Sequence, residues 1–569
     1  MPVARSTRIA WCALALLLAL AFGLRLWGIQ QGLPSIYNID EDGHFVPKAV
    51  DMFSGGLNPH YFVNPPALTY VLHLVFALWL GGSKGVQSEF ALHPERVYLL
   101  ARVTVALLGT GAVWMLYLLG ARLFDRRVGL LAAALETVAF LPVFYGHYAL
   151  NDAPTLLPLT LSLFGSAGVL QRGRRIDYVL AGVGLGLGCA SKYTAGIVVV
   201  PLLSAIVMRY LTGPPGQGRR VLVGMALAGA GALFAFLVAN PYALLDFQHF
   251  HSELIHQSSL ADEAQGKLGA PTDGGLLYYL WSLSWGLGWL PALAALGGGI
   301  AIWRHDWRLG WLLVPAPLLF LAFMGLQDRY FGRWLLPIFP IVCVLGAFFG
   351  LLLAAKLVSL ARSGRIASAA LPSLIVALLL AQGLVHSVHS DLVLARADTR
   401  NLTRAWMVTH VPRGAKIVLE PVVLNSWIKD SESAAGSDLW VKYPALQSVI
   451  APDGSLAPQS VHAVALEDYE TTLSPALIGW YERLSYCWVV SGYTESGRAL
   501  VNPSAAPLAV AYYRALAAQA QVVYHVSPYA KGATPVAFNF DWTFDTYPLA
   551  YERPGPEMTV YRLHGGRCA

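Results

Sequence analysis

Apolar runs recur along the first two thirds of the 569-residue chain, and basic residues gather at alternate ends of them. No other feature narrows the fold as far. The runs fall near 9–29, 97–120, 128–146, 154–170, 177–190, 194–208, 221–239, 275–302, 309–325, 335–355 and 366–387. A helix of about 20 apolar residues crosses a hydrocarbon core. Inside lipid the backbone must satisfy its own hydrogen bonds, so spans of this kind are helical. Composition agrees, with 56% of residues hydrophobic and 13% charged, whereas soluble domains carry about 25% charged residues. The expected fold is a polytopic α-helical membrane protein with about eleven transmembrane helices. Lys plus Arg number 39 and Asp plus Glu 33, a net charge of +6. That excess reads as topology, since no separate basic domain suggests a nucleic-acid partner.

Orientation follows from the same charges. Arg5 and Arg8 precede the first run, which is too long for a typical signal-peptide core and has no clear cleavage site, so it reads as a retained span. With those arginines in the cytoplasm, the loop 30–66 lies outside. Gly43–Phe53 reads as a short amphipathic helix on the membrane surface. Ala67–Gly82 is apolar but short for a span. Treating it as an interfacial or re-entrant helix leaves Arg122, Arg126 and Arg127 in the cytoplasm. The later loops then alternate consistently, and each cytoplasmic one carries at least two basic residues. Near residue 388 the character changes to short alternating runs, such as Lys416–Leu419 and Cys487–Val490, interleaved with helix-like stretches. The expected organisation is a membrane domain over 1–388 and an extracytoplasmic α/β domain over 389–569, in an integral protein of the cell membrane. Cys12, Cys189 and Cys343 sit in apolar runs, whereas Cys487 and Cys568 are placed where they can pair.

This topology collects unusual polar residues on the external face. Asp40-Glu41-Asp42 and His44 stand at the lip of the first span, followed by Asn64, His147, Asn151 and Asp152, Lys192, Asn240, Asp246, His249 and His251, and then Arg329 and Arg333. Ionisable groups converging at a membrane face suggest a site. A carboxylate such as Asp40 can accept a hydroxyl proton, although an acid there can also cap a helix beginning near Gly43. Asp152, in Asn151-Asp152-Ala153-Pro154, reads either as a helix start or as a second functional carboxylate. Lys192, Arg329 and Arg333 oppose the positive-inside trend. They suit an anionic phosphate, or snorkel to headgroups. His249 and His251, with His256, read as solvated loop histidines. Asn401-Leu402-Thr403 matches a glycosylation sequon. No spacing demands a metal. A divalent cation on Asp40 and Asp152 is the alternative left open.

Six motifs carry a resemblance. They are Asp40-Glu41, Asn64-Pro65-Pro66-Ala67-Leu68, Arg102 through Leu119-Gly120-Ala121-Arg122-Leu123-Phe124, Tyr148–Pro154, the glycine-rich Gly186–Tyr193, and Arg329-Tyr330 with Leu335-Leu336-Pro337. In this order they resemble the polyprenyl-phosphate-sugar-dependent glycosyltransferases of the GT-C superfamily. The branch is that of the protein O-mannosyltransferases and the lipid A aminoarabinose transferase (family 39-like). The resemblance implies an inverting hexosyl- or pentosyltransferase. Its partners would be a polyprenyl-phosphate sugar, membrane lipids, and an acceptor that is a protein, a glycan or a lipid. It implies Asp40 as base, Glu41 as its support and Asp152 at the acceptor or a metal, and leaves Asp42 as a helix cap. Lys192, Arg329 and Arg333 would hold the donor phosphate, and His44, Asn64, His147 and Tyr330 are candidate substrate contacts. Asn64 stands where relatives often have histidine or lysine. The rival reading is a transporter or flippase for a lipid-linked or anionic substrate, against which stand the one-sided clustering of charge and the lack of an internal repeat.

Overall fold

The computed structural model describes residues 2–262, 274–360, 365–429, 438–443, 466–539 and 549–569. The chain forms two compact units. One comprises Met1–Ile29, Asp40–Asp262 and Asp273–Asp391, and the other includes Gln30–Ile39 and Leu392–Ala569. The boundary expected at 388 thus lies a few residues later. Gln30–Ile39, assigned from sequence to the membrane half, belongs to the second unit.

The first unit is helical. Among the described residues of the chain, seven helices are long and apolar enough to cross a membrane, or up to ten if each of three bent pairs counts as one span. Two runs expected as single spans are bent. Arg126–Val138 and Phe140–His147 meet at 61°, and Gly275–Gly286 and Trp289–His305 at 115°. The short helix anticipated at Ala67–Gly82 is Ala67–Trp79, and a 99° turn separates it from Gly82–Leu92. Its 13 residues rise only about 20 Å, short of a hydrocarbon core of about 30 Å. Gly81 and Gly82 both have φ near +80°, where a side chain would be strained, and they make the sharp turn. The glycine-rich helix Arg175–Ser191 packs against Gly218–Ala239 with almost no gap. A side chain at Gly182 or Gly186 would run into the backbone at Ala228 or Ala232, the close approach by which small residues join membrane helices.

The second unit is a mixed α/β domain. Its strands are β1 (Lys416–Leu419), β2 (Val441–Lys442), β3 (Tyr486–Gly492), β4 (Gln521–Val526) and β5 (Met558–Arg562), in sheet order β2-β1-β3-β5-β4. β1 runs parallel to β2 and β3, and β5 is antiparallel to β3 and β4. β1 and β3 are buried almost throughout, as expected of strands covered on both faces. Val418, Val489, Leu477 and Tyr512 contribute to one apolar cluster, and Ile417, Val490, Trp427 and Trp440 to another. Cys487 and Cys568 form a disulfide that closes 81 residues of chain. Tyr37, from the early segment, lies under the Arg400 guanidinium at 3.7 Å and donates to Asn401 Oδ1 at 2.6 Å. The Asn401 amide in turn donates to the Gly32 carbonyl. The sequon asparagine is therefore engaged within the domain.

Candidate active site

The acidic loop of the first unit folds into a single turn of π-helix, Glu41–Phe45, that runs on into the helix Val46–Gly55. Asp40 precedes it and makes no side-chain cap hydrogen bond, which removes the capping explanation for this residue. Asp42 is not a cap either. It lies inside the turn, 3.4 Å from the Tyr98 hydroxyl. The three neighbouring acids point to three environments.

Glu41 faces inward and is fully buried. Both of its oxygens are bound by Arg102 at 2.7 Å, and Oε1 also accepts from the Ala149 N–H at 2.8 Å. Arg102 donates further to the Ile29 carbonyl. An ion pair this deep needs such complete hydrogen bonding to offset its desolvation. The pair ties the acidic turn to the helix Pro94–Leu123 and to the segment before Asp152. Glu41 therefore anchors the turn, and Arg102, a lone charge in an apolar run, is its counterpart.

Asp40 faces the other way and keeps a third of its side chain exposed. Arg333, from the turn Gly332–Ile338, donates to its Oδ2 at 2.7 Å, and His44 Nε2 lies 3.8 Å from Oδ1. Burial alone would raise its pKa. Arg333 first, then His44, Arg329 and Lys192, outweigh that and hold the carboxyl below its usual range. His44 stacks on Tyr61 with ring centres 4.5 Å apart, and Tyr61 accepts a hydrogen bond from Asn64 at 2.8 Å. Asn64 thus braces the His44 platform.

Asp152 opens the helix Asp152–Gln171 and is paired with Lys192, at the end of the glycine-rich helix. Asn151 crosses the same gap to the Ser191 carbonyl at 2.6 Å. Lys192 also lies within electrostatic reach of Arg333 and Asp40. The structure thus brings Asp40, His44, Asp152, Lys192, Arg329 and Arg333 into one charged cluster. Arg329 lies 5.4 Å over the Phe331 ring. Tyr330 packs on Tyr278 at 5.4 Å and supports the arginine segment.

His147 differs from the substrate contact expected of it. It is fully buried, with Nδ1 at the Val143 carbonyl and Nε2 at the Trp27 carbonyl, each 2.9 Å away, and Asp391 at 3.4 Å. A ring enclosed in this way holds helix ends together. The sequence reading also passed over Arg25, Glu136 and Asp391, all buried in the same unit. Isolated charges inside apolar runs were the available signal. As metal ligands, Asp40 and Asp152 fit poorly. Each already carries a cationic partner, and among the described residues neither joins a third ligand within coordinating reach.

Comparison with known proteins bears on this arrangement. Residues 90–244 match the family described as dolichyl-phosphate-mannose-protein mannosyltransferase. That stretch contains Arg102, Asp152 and Lys192. No curated protein matches the chain closely enough to count. Among solved structures, the archaeal oligosaccharyltransferase AglB from Archaeoglobus fulgidus, in complex with an inhibitory peptide and a dolichol-phosphate, is similar. It is 13% identical with a TM-score of 0.51, covering 89% of this chain and 72% of that one. ArnT from Cupriavidus metallidurans is 14% identical with a TM-score of 0.45, covering 74% of this chain and 84% of that one. Residues 90–244 are thus similar in sequence to the protein mannosyltransferases, and the fold over most of the chain is similar to that of AglB.

Proposed function

We propose that the chain is an inverting glycosyltransferase that moves a hexosyl or pentosyl group from a polyprenyl-phosphate donor to a hydroxyl of a protein, glycan or lipid acceptor, on the extracytoplasmic face of the cell membrane. One observation carries the reading. A partly open carboxylate, Asp40, stands among Arg333, Arg329 and Lys192, side chains of the kind that hold a phosphate. Asp40 takes the acceptor proton as the oxygen attacks the anomeric carbon. The bond from that carbon to the phosphate oxygen breaks, and its electron pair leaves with the polyprenyl phosphate. The leaving group gains negative charge, so fixed cations stabilise the transition state more than the ground state. Arg333 links the two halves. While bonded to Asp40 it weakens the base. A donor phosphate that draws the guanidinium away restores the basicity of Asp40.

The test is turnover by the purified full-length chain of radiolabelled polyprenyl-phosphate sugars, supplied with a cell-envelope acceptor fraction. Loss of label from the lipid with inversion at the anomeric carbon supports the reading. A chain that binds the donors but transfers none of them sinks it.

A further inference from the structure

A second constellation of ligating side chains lies in the first unit, apart from the Asp40 cluster. His60 comes from the loop between the helices Val46–Gly55 and Ala67–Trp79. Asp246 and His249 come from the start of the helix Phe247–Asp262. The nearest ligand atoms of the three lie within 4.8 Å of one another. Ligands of a tetrahedral ion with bonds of about 2.0 Å lie about 3.3 Å apart, so small side-chain rotations close the set. We propose that His60, Asp246 and His249 form a binding site for a transition-metal ion of the Zn²⁺ class, which clamps the loop carrying His60 to the helix Phe247–Asp262.

The surroundings are built as a metal site requires. His60 has φ +47°, a left-handed backbone that non-glycine residues rarely adopt. Asn58 holds it there, since its Oδ1 accepts from the His60 N–H at 3.0 Å. The Asn58 amide donates to Asp246 Oδ2 at 2.8 Å. One side chain thus sets the backbone of one ligand and the rotamer of another. Asp246 and His249 sit three apart on one helix face, with Nδ1 3.6 Å from Oδ2. The buried Phe62 ring meets His249 edge-on at 5.3 Å and fixes its plane. With Nδ1 toward the metal, Nε2 faces Glu253 Oε1 at 3.7 Å. That is the order in which a carboxylate orients a ligating imidazole. Glu253 is itself held by the Phe62 and Val63 N–H groups at 3.0 and 3.1 Å. Two imidazoles and one carboxylate suit zinc and its neighbours over magnesium or calcium, which prefer all-oxygen sites. Each ligand side chain or residue retains solvent exposure, so water can complete the coordination. The loop leads directly into Asn64, so the ion would stiffen the segment that braces His44.

The experiment uses the full-length, tag-free chain in detergent, stripped with chelator and titrated with ZnCl₂ against a chromophoric competitor, with thermal unfolding recorded in parallel. One equivalent of Zn²⁺ is expected, with a rise in the unfolding midpoint. His249→Ala should weaken binding by at least ~10-fold. His60→Asn separates ligation from backbone strain, because asparagine tolerates positive φ while the imidazole is lost, and it should weaken binding equally. His251→Ala should bind as the unaltered chain does. Absence of saturable binding overturns the proposal, and so does one equivalent bound unchanged in both His60→Asn and His249→Ala.

Discussion

Both units bury carboxylates, and the acids around the candidate site are held differently from those of the α/β core. In the helical unit the three acids around the candidate site each have a cation: Glu41 has Arg102, Asp40 has Arg333 and Asp152 has Lys192. In the α/β unit Glu420, Glu470 and Glu495 are all buried. Arg498 lies 3.6 Å from Glu470 and 3.3 Å from Glu495. Glu420 accepts from the Gly492 N–H at 2.9 Å instead. Tyr469, Tyr481, Tyr512 and Tyr513 line the same interior. Burial, the largest influence, pushes Glu420 and Glu495 up to about 7 and Glu470 up to about 8. Asp40 moves the other way. The cations around Asp40 hold its carboxyl ionised. The carboxylates that fill the α/β core are left to hold protons and act as neutral hydrogen-bonding groups.

The largest effect should follow from removing Asp40, the partly open carboxylate of the candidate site. Asp40→Asn should lower the turnover number about 10²–10⁴-fold, the usual contribution of a general base, with little change in the unfolding midpoint. A variant that keeps full activity would mean that the proton leaves by another route. Arg102→Met should instead destabilise the fold by about 3–5 kcal/mol, because Glu41 is left charged and buried without a partner. Adding Glu41→Gln to Arg102→Met should recover part of that loss, read as a rise in the unfolding midpoint. A double variant no more stable than the single would show that Arg102 acts through the Ile29 carbonyl rather than through Glu41. In the α/β unit, Cys487→Ser with Cys568→Ser should cost about 2–5 kcal/mol, measured by thermal unfolding with and without reductant. Reductant should shift only the unaltered chain.

The two units also differed in how much of them could be read in advance. The helical unit writes its helices as apolar runs, and the polar residues at their ends, Asp40, Asp152, Lys192 and the arginines, could be expected to gather before any fold was known. Bends were not legible. Gly288 and Ala139 break runs whose hydropathy continues unbroken. Nor could periodicity separate Glu41 from Asp40, because which acid turns inward depends on where Arg102 stands, 61 residues away. His147 was misplaced for a related reason. Its position in the chain is that of a loop histidine, but the bend at Ala139 folds it beneath Trp27. In the α/β unit, alternation disclosed β1 and β3. The Glu420 cluster was invisible, because its three acids come from segments about 50 and 25 residues apart and meet only in three dimensions.

The contrast in charge can be tested through pH, with the smallest and most gradual of these effects. An unfolded chain releases the protons of Glu420, Glu470 and Glu495 near pH 4.5, whereas the folded domain retains them to about 7, 8 and 7. Between those limits the folded state binds more protons than the unfolded one. The contribution is therefore whole below about pH 4.5 and is lost as pH rises toward 8. Hydrogen exchange over β1 and β3 in the full chain, corrected for the intrinsic pH dependence of exchange, should show protection that declines from pH 5 to 8. Glu470→Gln, which keeps the neutral shape, should flatten the decline. Turnover should behave inversely. The cations hold Asp40 ionised, so activity persists to the bottom of the usual carboxylate range and falls only below it. A strand region whose protection is level with pH would mean that the three acids are ionised in the folded domain, as Asp40 is, and one that declines equally in Glu470→Gln would mean that Glu470 is not the source of the decline.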